Sequence, residues 1–600
     1  MEEERNIKLP YYGIPKLIPY IVKYRSKVIL MIFMGALSSL IDSVYPLFYK
    51  NVLNVTVARK DLSTLPFMVV LYLLILQFQV WNNYYTCFIC SKMELWVDRD
   101  LRNACFGHLQ TLSFSFFNQN NVGYIHARVM SDTGKIGELV SWRLMDIIWN
   151  GSYIISVIVV MFITNAYLGL LITALVPVAV VVILIFQKKL VGLNRKVREL
   201  NSRIVGDFNE GITGVKALKT LVAEDKMSSS FREDTESYKK TSINTAHVAA
   251  LFSSTITMIS AVALSFILWQ GGRLTLSNVI KIGTLSVFIS YAMGIMEPIQ
   301  SIINTISGLI QIQVNIERYT NLMNTESDVA DREDVIEKYG DSFEPKKENW
   351  EEIIGDVEFK DVSFKYPDGD EMVLENFNLK VKAGQNVAIV GETGAGKSTL
   401  VNLVCRFFEP TGGKVLIDGR DAKDRSLLWL HSNIGYVLQS PHLFSGTIRE
   451  NLLYAKPDAT DEEIYRALDI VSATDLINKN KEGLSLDVGE GGNVLSTGER
   501  QLISFARAIL SDPKILVLDE ATSSIDTVTE KMIQSAIKAI IKGRTTFVIA
   551  HRLSTVVDAD VILAVKDGKI IEKGNHEELM KRRGYYFDLF TSQLYEEGEV

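Results

Sequence analysis

The chain has 600 residues, 63 Lys/Arg against 70 Asp/Glu, 48% hydrophobic residues and four cysteines. That is too long for one hydrophobic core, too apolar for a disordered chain and too acidic for a binder of nucleic acid, which is therefore not an expected partner. Cys87, Cys90, Cys105 and Cys405 are too few and too scattered for a disulfide framework or a zinc site.

The charge is unevenly spread. Residues 1–320 carry 30 Lys/Arg and 21 Asp/Glu, a net of +9, whereas residues 321–600 carry 33 and 49, a net of −16. The long uncharged stretches fall in the first part. This predicts a membrane domain over 1–320, a polar linker over 321–356 and an acidic soluble domain over 357–600.

The chain starts with Glu2, Glu3 and Glu4 and lacks the basic and apolar regions of a signal peptide, so its start is expected in the cytosol. A crossing needs about 20 apolar residues. Six stretches qualify, near residues 28–50, 65–90, 140–164, 166–187, 243–270 and 279–312. The third and fourth come from 40 uncharged residues, Ile147 to Phe186, with a turn-like Thr164-Asn165-Ala166-Tyr167 in the middle. Cys87 and Cys90 lie at helical spacing in the second and read as packing residues. Basic residues gather in the first 28 residues, in 91–137 and in 187–244, which places both termini in the cytoplasm. The last two segments carry helical patterns, so the membrane helices should extend well beyond the bilayer. Asp42 and Glu297 stand inside spans, where a charge is costly and a candidate for function.

Beyond the linker, strands alternate with helices. The apolar run Asn386–Val390 leads into Gly391-Glu392-Thr393-Gly394-Ala395-Gly396-Lys397-Ser398 and then into a helix beginning at Thr399, which is also expected beside the nucleotide. This is GxxxxGKS in a strand–loop–helix setting. Glycines let successive backbone N–H groups turn inward on phosphate oxygens at a helix N-terminus. Lys397 adds a point charge for the β- and γ-phosphates, and Ser398 a hydroxyl for Mg²⁺. Lys514–Leu518 is a second apolar run, ending in Asp519 and Glu520. Asp519 is placed to hold Mg²⁺ through water and Glu520 to polarise the attacking water. A third strand, Thr546–Ala550, delivers His551 toward the γ-phosphate.

Leu495-Ser496-Thr497-Gly498-Glu499-Arg500-Gln501 resembles the signature of the ATP-binding cassette (ABC) family, written LSGGQ. Tyr366 matches that family's adenine-stacking aromatic, Gln439 its Q-loop glutamine at Mg²⁺, and Glu490 the acid facing the partner's loops. Ser523-Ser524-Ile525-Asp526 matches the loop crossing the dimer interface. Phe116–Gly123 with Arg128–Asp132, and Asn209–Lys216, resemble the two intracellular loops of its exporters. The resemblance covers nearly the whole chain. It implies an all-α membrane domain of six helices fused to an α/β ATPase, working as a pair of half-transporters with bound ATP and Mg²⁺ in a plasma membrane. Each ATP would lie between one chain's phosphate loop and the other's signature, among Ser496, Thr497, Gly498 and Glu499. The activity implied is ATP-driven export of a small amphipathic molecule, lipid or peptide by alternating access; the alternative is an ATP-gated channel or regulator. Thr497 and Glu499 depart from the signature, which leaves homodimer and heterodimer both open.

Overall fold

A computed structural model describes residues 13–57, 63–479, 481–519, 527–550 and 556–597. The chain divides into two compact units, Met1–His108 with Gly123–Asn324, and Leu109–Val122 with Thr325–Val600.

The first unit is helical. After α1 (Ile14–Val22) come α2 (Arg25–Asn51), α3 (Leu65–Leu109), α4 (Leu144–Thr164), α5 (Ala166–Thr213), α6 (Glu224–Leu276), α7 (Ile282–Gly294) and α8 (Met296–Met323). Among the described residues, six helical stretches are long and apolar enough to cross a membrane. At about 1.5 Å per residue, the 48 residues of α5 run roughly 72 Å, more than twice the hydrocarbon thickness. A helix of that length must continue into water.

Local chemistry sets the breaks. Asn165 is extended (φ −162°, ψ 106°) between α4 and α5, and its side-chain oxygen accepts the Leu168 N–H at 3.0 Å. This cap allows two crossings to be joined by one non-helical residue. The last crossing is divided at Ile295, and Pro298 falls in the first turn of α8, where its missing N–H costs no helical bond. Val157, Ile172, Ile183, Phe252, Phe288 and Tyr291, drawn from α4 to α7, lie in the buried core of this unit.

The second unit holds two sheets. Strands β1 (Val357–Phe364), β2 (Leu374–Val381), β4 (Gly412–Ile417) and β5 (Arg420–Asp421) form an antiparallel sheet in the order β2-β1-β4-β5. Strands β3 (Asn386–Val390), β6 (Ile434–Val437), β7 (Ile515–Asp519), β8 (Thr545–Ile549), β9 (Val561–Lys566) and β10 (Lys569–Gly574) form the other, in the order β10-β9-β3-β8-β7-β6. Its four pairings from β9 to β6 run parallel, and β10 pairs antiparallel with β9. All five residues of β3 and of β8 are buried, as a parallel strand covered on both faces requires.

From Thr325 onward, the stretch read as a polar linker belongs to this second unit. A short helix, α9 (Glu333–Tyr339), buries Val335 and Tyr339. The buried Arg406 guanidinium bonds Asp331 at 2.9 Å and the carbonyls of Ala330, Ala422 and Arg425. A guanidinium with five fixed donors can tie several chain segments at one point. Alternating polarity alone does not signal that anchoring.

Candidate nucleotide site

The phosphate loop begins where β3 ends. A Cβ on Gly391 would stand 2.2 Å from the Val565 carbonyl oxygen, so the loop can pass β9 only without a side chain there. Gly396, at φ 98°, turns the chain into α10 (Lys397–Val404). The Lys397 ammonium donates to the carbonyls of Gly391 and Glu392 at 2.7 and 2.9 Å, which leaves a third N–H for a phosphate oxygen. Burial pushes Lys397 below its ordinary pKa range, and the Asp519 carboxylate acts the other way. Added negative charge from phosphates would favour its protonated form. Glu392, Thr393, Gly394 and Ser398 are exposed along the loop, while Ala395 is buried.

Tyr366 is held on three sides. Its hydroxyl lies 2.9 Å from Thr399 Oγ1, and its ring meets Phe364 and Phe408 edge-on at 5.0 and 5.2 Å. Thr399, expected beside nucleotide, therefore spends its buried side chain on the aromatic platform.

Sheet order gathers the rest of this half of the site. Asp519 ends β7 opposite Ile549 of β8, and Ile549 in turn pairs with Ile389 of β3. Gln439 is exposed two residues beyond β6, on the other side of β7. The phosphate loop, Asp519 and Gln439 thus lie along the carboxyl edge of one parallel sheet, where such folds bind ligands. Glu520, Asp526 and His551, with the rest of the interface loop Ser523-Ser524-Ile525, fall outside the described residues.

The signature is built elsewhere. Ser496 caps α11 (Thr497–Leu510), accepting the Glu499 N–H at 3.3 Å, while the Glu499 carboxylate accepts the Ser496 N–H at 2.8 Å. Arg500 holds Thr497 Oγ1 at 3.1 Å and the Leu495 carbonyl at 2.9 Å. Leu502, Ile503, Phe505 and Ala506 of α11 enter a separate core from that beneath the phosphate loop. Among the described residues, no hydrogen bond or ring contact joins Ser496–Glu499 to that loop. Glu490 is exposed in a short turn ahead of α11.

Sequence reading overlooked Phe114. Its ring lies 4.4 Å from that of Phe407, which follows α10. A cavity of about 350 Å³ there is lined by Ser113, Phe114, Asp331, Arg406, Phe407 and His431. An aromatic pair directly after the phosphate-loop helix, Phe407-Phe408, was the available signal.

These parts correspond to known proteins. Residues 28–299 match the ABC transporter transmembrane region, and residues 374–523 the ABC transporter domain. The chain is 36% identical over 538 residues to the probable multidrug resistance ABC transporter ATP-binding/permease protein YheH of Bacillus subtilis (strain 168), covering 89% of this chain and 78% of that one. It belongs to the ABC transporters, as a half-size exporter. It is also 33% identical over 595 residues to the ATP-dependent lipid A-core flippase of Desulfotalea psychrophila, covering 99% and 100% of the two chains. A solved bacterial Atm1-family ABC exporter with ATP bound is similar to it at a TM-score of 0.76 and 25% identity, over 96% of this chain and 99% of that one. The exporter is thus a multi-pass membrane protein that binds ATP and couples its hydrolysis to transport. The channel reading has no support in these likenesses.

Proposed function

We propose that the exporter works as a pair of half-transporters that move a small amphipathic molecule outward across the plasma membrane by alternating access, with both termini cytoplasmic. The observation that carries the pairing is the separate placement of signature and phosphate loop in one chain. Each half of the site would be incomplete alone. A second chain, identical or related, would bring its Ser496 and Gly498, or their counterparts, to the γ-phosphate held by this chain's Lys397. The multidrug and flippase relatives favour an amphipathic cargo over a peptide.

Within each site Tyr366 would stack on adenine, the loop amides from Gly391 to Ser398 would hold the phosphates, and Glu520 would take the proton of the attacking water with His551 beside it. The Ser398 hydroxyl, Gln439 carboxamide and Asp519 carboxylate are oxygen donors of the kind Mg²⁺ selects, and they share one sheet edge. When bound, Mg²⁺ neutralises phosphate charge. Asp526 would cross to the partner. ATP adds contacts that exist only in the closed pair, so its binding favours closure and its hydrolysis releases it.

Complementation tests this reading. Lys397→Ala disables a chain's own phosphate loop, and Ser496→Arg disables the signature it lends. Each variant alone should be nearly inactive. Co-purified as a mixed pair, they should recover one working site and a measurable part of wild-type hydrolysis. No recovery, or full activity of a dilute single chain, would count against the shared site.

A further inference from the structure

ATP hydrolysis leaves unused a set of groups at membrane depth. Residues 28–49, 65–91, 144–187, 244–272 and 282–317 contain no Lys or Arg. Their acids are Asp42 and Glu297 in the interior, with Asp146 and Glu317 at the charged ends beside Arg143 and Arg318. Every interior charge is therefore negative.

Asp42 accepts hydrogen bonds from the Gln79 carboxamide at 3.0 Å and from the Trp149 indole, both neutral donors. The Gln79 nitrogen also donates to Ser38 Oγ at 2.8 Å, which leaves its carbonyl oxygen buried and without a partner. Acceptors outnumber donors at this point. The rings of Trp149 and Tyr153 stack at 5.7 Å and 10°, and Tyr153 Oη lies against Gly294, one turn from Glu297. Counted from the helix ends at Val57, Leu65, Thr164 and Ile282, the residues Asp42, Gln79, Trp149 and Glu297 each lie about 15 residues in, or roughly 22 Å. They share one level.

Asp42, Trp149 and Tyr153 are half-buried, and Glu297 is exposed on the unit's surface. A carboxylate facing acyl chains is strongly disfavoured, so this face borders a water-filled path. A carboxylate and an unfilled carbonyl oxygen beside stacked π-faces attract a delocalised positive charge, whose weak hydration makes entry cheap. A neutral molecule gains only the rings, and an anion is repelled.

We propose that Asp42, Gln79 and the Trp149–Tyr153 pair form the exporter's cargo site at membrane depth, and that it takes lipophilic organic cations. This rests on the export reading above and names the substrate class for it.

The test uses two ions of matched shape and opposite charge, tetraphenylphosphonium and tetraphenylborate. Their equilibrium binding is measured on the full-length protein in nanodiscs of zwitterionic lipid. The wild type should bind the cation saturably, and the borate should not displace it. Asp42→Asn should weaken cation binding by roughly tenfold to a hundredfold, the scale of one charge pair in a partly polarisable site. Asp42→Glu should retain most of it, and nucleotide binding to the cassette should stay unchanged in both, showing that they fold. No saturable binding of the cation, equal binding of the borate, or an unchanged Asp42→Asn would overturn the proposal. Binding is read without turnover, so loss of hydrolysis would count against the export reading alone.

Discussion

The carboxylate of Glu499 caps the backbone N–H of Ser496 at 2.8 Å, at the head of the signature helix. The Ser496 hydroxyl returns the bond to the Glu499 N–H. This reciprocal pair stabilises the helix start, and it places a full negative charge where a partner's γ-phosphate would need the same positive helix end. Glutamine could keep the cap and remove the charge. Glu499→Gln should therefore lower the ATP concentration for half-maximal hydrolysis by about three- to tenfold, equivalent to roughly 0.7–1.4 kcal/mol. A titration of hydrolysis rate against ATP decides it, and an unchanged midpoint would remove Glu499 from the account.

The Tyr366–Thr399 bond predicts a difference between two variants. Thr399→Val keeps the shape and loses the hydroxyl that holds the ring. Tyr366→Ala removes a stacking surface worth about 1–3 kcal/mol by analogy with other base-stacking sites. Both should weaken ATP and ADP alike, Tyr366→Ala the more, because adenine is common to the two. Lys397→Ala should instead weaken ATP more than ADP. Isothermal titration with each nucleotide separates the cases.

Phe114 rests on Phe407, and such ring pairs contribute about 0.5–1.5 kcal/mol beyond buried area. Phe114→Ala should leave nucleotide affinity near normal while reducing transport per ATP hydrolysed by roughly two- to tenfold. Parallel measurement of hydrolysis and vesicle uptake checks it, and a proportional fall in both would count against the prediction.

His431 gives a pH dependence. Burial holds its imidazole below the ordinary range, with the Cys405 carbonyl, 2.9 Å from Nε2, acting the other way. Above about pH 6.5 neither the folded nor the unfolded chain protonates it. As pH falls below that value the unfolded chain takes up the proton first, so stability drops until the folded pKa is passed, by at most about 1.4 kcal/mol per pH unit. His431→Gln should flatten this acid-side loss. Melting midpoints of the full chain in detergent from pH 5 to 8 provide the check.

Glu520→Gln keeps size and hydrogen-bonding shape without the base. Hydrolysis should slow by about 100- to 10,000-fold while ATP binding persists. A wild-type rate, with the partner site also disabled, would move suspicion to His551.

Much of this protein is legible in one dimension because its strongest signals are local. Bilayer thickness sets the length of an apolar run, so the six crossings show in composition. A cradle of backbone amides requires Gly391, Gly396 and Lys397 at fixed spacing, so the phosphate loop shows as a motif. The Asn165 turn is equally local. Tertiary structure decided what depends on distant residues meeting. That the Thr399 hydroxyl also holds the Tyr366 ring shows only once the fold brings the two together. The 325–356 stretch reads as a linker until Arg406 ties Asp331 to the cassette. Phe114 carries no motif, because its meaning comes from Phe407, nearly three hundred residues away. Asp42 could be singled out from the cost of a charge in a span, but whether that charge was neutralised was not readable. The answer required three helices to pack and to bring it Gln79 and Trp149, both uncharged, because side-chain pairing follows helix packing rather than sequence order.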